Sequence, residues 1–200
     1  MGNKFAELAF TDRVKQLQEA DGSRKSYARM EEGSESNAVL TEREAVFIGM
    51  RDSFYMATVS ETGWPYMQHR GGPKGFIRVL DENTLGLPDF SGNRQYVSIG
   101  NLQHDNRVSL FFMDYPNRAR LKLLGRVRTT DDAEILGQLS LPGYKATIDR
   151  AFLIDVAAFD WNCPQHITPR FTEAEIAEIL EPLNLRIAEL EAELHNLNQI

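Results

Sequence analysis

The chain has 200 residues, 42% of them apolar and 26% charged, enough for one ordinary hydrophobic core and at most two domains. Its formal charge of −7 lacks the overall basic footprint of a nucleic-acid binder, leaving only a local basic site for an anion to be sought. The one cysteine, Cys163, excludes an intrachain disulfide and a cysteine-built zinc site.

No run is long and apolar enough to span a bilayer, and residues 1–7 carry no apolar signal-peptide core, so the cytoplasm is the expected location. Residues 4–19 read as one short amphipathic helix through Phe5, Leu8, Val14 and Leu17, and residues 21–38 as a polar connector. Thr41 and Glu44 form a capping box, predicting a helix from Glu42 to about Arg51. A β-rich pattern follows. Strands are expected at 54–59, 65–70, 76–80, 84–87, 108–113, 120–128 (broken at Gly125) and 151–159, with short helices at 93–101 and 132–139. Short strands with interspersed helices predict an α+β barrel or sandwich. From Ile176 to Leu197, apolar residues recur at alternating spacings of four and three, the seam of a heptad helix. Two readings stand side by side: the helix lies on its own domain, or it pairs across a dimer. Pro182 interrupts the seam and is placed at the first turn of a second helix, where proline is tolerated. The expected division is an N-terminal helix and connector over 1–40, a barrel domain over 41–170 and a helical tail over 171–200.

Four segments carry candidate chemistry. Gln68-His69-Arg70-Gly71-Gly72-Pro73-Lys74 ends a strand, with paired glycines that admit a ligand close to the backbone and two cations for an anion. Asp89-Phe90-Ser91-Gly92-Asn93-Arg94-Gln95, with Ser98, enters a helix whose first N–H groups attract anions. Arg94, placed in the first turn, opposes the dipole unless an anion sits there. A glycine-rich turn with solvated charges, or Ser91 or Asn93 acting as an ordinary helix cap, accounts for the same residues without a ligand. The loop Asp114 to Arg120 ends in a basic pair, usually solvated. Trp161-Asn162-Cys163-Pro164-Gln165-His166 gathers an aromatic, two amides, a thiol and an imidazole. Cys163 lacks a cysteine-hydrolase signature and His166 lacks a metal-binding partner motif, so a loop thiol and a structural histidine are the better readings, and no metal is expected.

Read in order, these segments resemble the pyridoxamine 5′-phosphate oxidase-like family of FMN-binding split barrels. Gln68-His69-Arg70, the Asp81-Glu82 turn, Gly92-Asn93-Arg94-Gln95, Asn106-Arg107-Val108-Ser109-Leu110-Phe111-Phe112 and the basic strand Arg120 to Gly125 carry the resemblance. It implies an antiparallel, Greek-key-like split β-barrel with flanking helices, FMN as cofactor, and a homodimer with FMN at the subunit interface. Carried onto this chain, Arg70, Lys74 and Arg94-Gln95 would grip the phosphate, helped by Asn93 and Ser98. The backbone from Pro88 through Asp89 to Phe90 would edge the ring. Arg120 stands where the family has a glutamine reaching the ring, and a cation there would favour negative charge on reduced flavin. Trp161 is the candidate for the family tryptophan that packs by the flavin from the other subunit. Gln68, His69 and Gly71 complete the expected cofactor set. The oxidase's Arg-Leu-His-Asp-Arg-like substrate run is absent, which speaks against vitamin B6 oxidation. The implied function is an FMN-dependent oxidoreductase acting on an unidentified small molecule, with His69 or His166 as the candidate proton donor. The alternatives are a non-catalytic flavin binder or sensor, and a haem-binding barrel with the same two histidines as axial ligands.

Overall fold

The structure is a computed structural model that describes residues 2–33, 37–161 and 164–198. Asn162 and Cys163 of the fourth segment lie outside those residues. The chain divides into two compact units, one comprising Met1–Asp114 and Ala119–Cys163, the other Tyr115–Arg118 with the chain from Pro164 onward.

The first unit is an α+β split barrel. Its strands are β1 (Ser53–Val59), β2 (Pro65–Gly71), β3 (Arg78–Asp81), β4 (Thr84–Phe90), β5 (Arg107–Asp114), β6 (Ala119–Thr130) and β7 (Ile148–Trp161). They form one seven-stranded antiparallel sheet in the order β2-β1-β5-β6-β7-β4-β3, whose edge strands β2 and β3 are not hydrogen-bonded to each other. Alternation decides what faces inward: Phe54 and Met56 on β1, Val108, Leu110 and Phe112 on β5, and Leu121 and Leu123 on β6 are buried together. Phe54 stacks on both Phe76 and Phe112, at centroid distances of 5.9 and 5.1 Å.

Helix α4 (Glu42–Gly49) starts at the expected capping box. The Thr41 backbone N–H donates to the Glu44 carboxylate at 3.0 Å, and the Trp161 indole N–H donates to its other oxygen at 2.7 Å. Helix α5 (Val97–His104) is pinned to β1 by a buried Asn101 amide donating to the Thr58 hydroxyl at 2.9 Å. Helix α6 (Ala133–Gln138) is capped by Asp132.

The N-terminal reading needs correction. Residues 4–19 are not one helix but α1 (Lys4–Ala9) and α2 (Asp12–Ala20), because Thr11 leaves the helical conformation and caps α2. The stretch read as connector contains α3 (Arg24–Glu31). Its polar sequence hid it. Glu31 receives Arg24 and, at 3.1 Å, Lys15 from α2. The Arg24 hydrogen bond holds its carboxyl below the usual range despite opposing desolvation. The helix expected at 93–101 begins only at Val97, since Arg94 and Tyr96 take left-handed backbone angles (φ 58° and 56°).

β6 is not broken at Gly125. It runs through, and its pairing with β7 slips between Leu124 and Gly125. A Cβ on Gly125 would stand 2.7 Å from Ile154 Cγ2 and 2.9 Å from the Asp155 carbonyl. Gly125→Ala is therefore expected to destabilise by about 1–3 kcal/mol in urea denaturation. Gly100→Ala on α5, where a Cβ meets nothing within 4 Å, should stabilise by roughly 0.5–1 kcal/mol. Equal effects at the two sites would contradict this packing.

In the second unit, α7 (Glu173–Leu197) is capped by Thr172 through a box with Glu175. It is one helix with Pro182 inside it, not two. Proline removes the donor that would bond the Glu178 carbonyl. Because Glu178 is exposed, water can satisfy that carbonyl, and the helix continues.

Candidate functional site

A pocket of about 110 Å³ opens where β2, the end of β4 and the start of α5 converge. Strand period brings Tyr66, Gln68 and Arg70 to the same face of β2, while Met67, His69 and Gly71 point the other way. β4 contributes Asp89 and Phe90, and the following loop contributes Asn93, Arg94 and Gln95 before Ser98 on α5. Two segments far apart in sequence thus meet in one cavity.

Arg70 organises the pocket. Its guanidinium donates to Asp89 at 2.8 Å, lies over the Phe152 ring at 4.6 Å, and is only 11% exposed. It belongs to an edge strand, whereas Asp89 lies beside the opposite edge, so this ion pair spans the split in the sheet. Asp89 is shared, because Arg150 approaches its second oxygen at 3.4 Å. Arg70 Nε is buried without a hydrogen-bond partner. Ser98 donates to the Gln68 carbonyl at 2.7 Å, fixing that amide's orientation.

Neither Ser91 nor Asn93 caps α5. Ser91 bonds Asp149, and Asn93 accepts from the Gln95 backbone N–H at 3.1 Å, closing a turn within the loop. The N-cap is Tyr96, with no side-chain cap bond. The first N–H groups of α5 therefore have no side-chain cap, at the positive end of the helix dipole. Arg94 is not in the first turn as expected, so it does not oppose that dipole from within the helix. It lines the pocket from the loop instead. Two arginines, a helix N-terminus and small polar groups suit a phosphoryl group, against the opposing charges of Asp89 and Asp149.

The other expected residues lie elsewhere. His69 sits edge-on to Tyr55 on the outer face of β2. Lys74 is exposed in the loop before β3 and does not line the pocket. Arg120 is on β6, opposite Met113, with its Nε buried and unpartnered. Trp161 packs against Phe47 of α4 at 4.7 Å, beneath the Arg43 guanidinium at 4.3 Å. His166 belongs to the second unit and has a left-handed backbone (φ 62°). Sequence reading missed Tyr66 and Asp149. Strand period two residues before Gln68 could have found Tyr66. Asp149 arrives through the pairing of β4 with β7, which leaves no local signal. No helix among the described residues is long and apolar enough to cross a membrane.

A family model described as "Pyridoxamine 5'-phosphate oxidase" matches residues 40–162. Among solved structures, the chain is similar to HupZ of Group A Streptococcus (TM-score 0.51, 13% identity, covering 66% of this chain and 99% of that one). It is also similar to a putative pyridoxamine 5'-phosphate oxidase from Lactobacillus delbrueckii (TM-score 0.48, 20% identity, 62% and 94%). A third is an FMN-binding protein from Syntrophomonas wolfei (TM-score 0.46, 11% identity, 72% and 97%). The HupZ likeness, at this identity, speaks for a shared fold alone. No curated protein matches the chain.

Proposed function

The chain belongs to the pyridoxamine 5′-phosphate oxidase family, and from that membership and the pocket's chemistry we propose that it binds FMN and acts as an oxidoreductase on a small molecule. The observation that carries this reading is the meeting of Arg70, Arg94, Ser98 and the uncapped start of α5 in one cavity. Arg70, already aligned by Asp89 and Phe152, and Arg94 would hold the phosphate, with Ser98 and the α5 N–H groups completing its hydrogen bonds. Phe90 and the backbone beside it would edge the ring.

The size of the cavity sets the rest. About 110 Å³ suits the phosphate end, whereas sites that enclose a whole cofactor run to roughly 300–1,000 Å³. The ring would then lie beyond the mouth and be covered by a second copy of the chain. Arg120 and Trp161, which lie apart from this pocket, are the candidates to reach it there. Bound flavin would supply hydride transfer, and the protein would supply binding, orientation and exclusion of water. His69 and His166 are outside this pocket, so no proton donor is assigned.

The purified protein should be yellow, with the two visible bands of oxidised flavin, and heat should release FMN identifiable by mass spectrometry. Anaerobic NADH or NADPH should bleach those bands if the protein is an oxidoreductase using a nicotinamide donor. Bands that persist with every donor tried would favour a non-catalytic flavin binder. Colourless protein that ignores added FMN would overturn the reading altogether.

A further inference from the structure

Helix α7 presents an apolar stripe that its own unit leaves unburied: the seam residues from Ile176 to Leu197 are 41–67% exposed. From the geometry of that stripe, we propose that α7 pairs in parallel and in register with α7 of a second copy, forming a short two-stranded coiled coil.

The heptad assignment follows from the spacing. Leu180, Ile187 and Leu194 take the a positions, and Leu183, Leu190 and Leu197 the d positions, with Ile176 as the d residue before them. Leucine at d with a β-branched residue at a, as at Ile187, suits two strands. Pro182 falls at an outer c position, so the missing backbone bond is kept away from the seam. The charges beside the seam suit a parallel second copy. Arg186 is at g and Glu191 at the e position five residues later. In a parallel, in-register pair each Arg186 faces Glu191 of the other copy, once on each side of the seam. The remaining g-to-e pairs, Ile179 with Asn184 and Glu193 with Asn198, bring no like charges together. Arg186 bonds Glu189 on its own helix at 2.9 Å, but both side chains are more than half exposed, so that contact yields readily. An antiparallel pair that staggers Leu183 against Ile187 sets Arg186 near Arg186 and Leu197 against Glu173, and one that staggers Ile187 against Leu190 sets Arg186 near Glu193 but leaves Ile176 without an apolar partner, so only the in-register parallel pair seats all seven seam residues. The parallel arrangement keeps each seam position from Ile176 to Leu197 against its own apolar counterpart, and brings Glu173, at the a position of the first turn, against Glu173 only at the end of the coil.

The inference does not depend on flavin binding and is tested without it. Leu190→Cys in the full-length Cys163→Ser background should form a disulfide-linked dimer under mild oxidation, because a d residue meets its own copy in a parallel coil. Glu189→Cys, on the outer face, should not. Adding Arg186→Glu to the Leu190→Cys protein should cut the rate of cross-linking about tenfold, and Arg186→Glu with Glu191→Arg should restore it. Circular dichroism checks that each variant is folded. Equal cross-linking at 189 and 190, no cross-link at 190, or indifference to charge reversal would each overturn the proposal. The last two are the results expected if α7 instead lies on its own chain or receives a different protein.

Discussion

Arg70→Ala should raise the dissociation constant for FMN about 100-fold, the effect of losing roughly 2–3 kcal/mol of charged hydrogen bonding to a phosphate. The size of the loss follows from the setting of the side chain. Arg70 is 11% exposed and held by Asp89 and the face of Phe152, so little ordering remains to be done when an anion arrives. Arg70→Lys keeps the charge and loses the planar fork, and should fall between the two. Stability should suffer less than affinity. Removing one partner of a buried ion pair typically costs about 3–5 kcal/mol, but Asp89 retains Arg150 at 3.4 Å. FMN titration followed by flavin fluorescence separates the effects, with thermal unfolding of the apoprotein as control. An unchanged dissociation constant in folded Arg70→Ala would place the phosphate elsewhere.

Glu44→Ala is the second large effect, and it acts on stability. Glu44 is 3% exposed and serves two masters: it closes the capping box of α4, and it accepts the Trp161 indole N–H. Losing the box costs about 1 kcal/mol, and an indole N–H left half-buried without a partner adds roughly 1–3 kcal/mol. Glu44→Ala should therefore unfold at a clearly lower urea midpoint, with tryptophan fluorescence changed in the native state. The same residue gives a pH dependence. Burial alone would raise its pKa, but hydrogen bonds from Thr41, Trp161 and the backbone outweigh that, and the folded value lies below the ordinary 4.5. A depressed folded pKa means that the carboxylate contributes stability above the unfolded value and loses it as pH falls through the folded one. Glu44→Gln should thus be less stable than the natural protein at pH 7, with the gap closing below about pH 4.5. A gap that widens on acidification would contradict the assignment.

The parts legible in the sequence are those governed by local rules. The Thr41 and Glu44 box, the alternation along 108–113, and the Asp81-Glu82 turn each declare themselves within a few residues, and α4, β5 and the β3–β4 hairpin stand where those signals put them. Arg70 and Arg94 were both legible as cations beside glycines. That they share a cavity was not, because the Arg70–Asp89 contact joins strands with four others between them in the sheet order. The start of α5 was misplaced because left-handed angles at Arg94 and Tyr96 are unusual for non-glycine residues and leave no compositional trace. α3 was missed because its sequence is polar and part of its support, Lys15 of α2 reaching Glu31, is tertiary. Thr11 caps α2 in the middle of a stretch whose apolar period runs through it, so the break between α1 and α2 does not show in that period.

The central claim is that the pocket between Arg70 and the start of α5 holds the phosphate of a flavin. Parallel titrations of the apoprotein with FMN and with riboflavin, which differ only by that phosphate, test it most directly. FMN should bind at least about 100-fold more tightly, and the difference should shrink to a few-fold in Arg70→Ala. Equal affinity for the two in the natural protein would contradict the account.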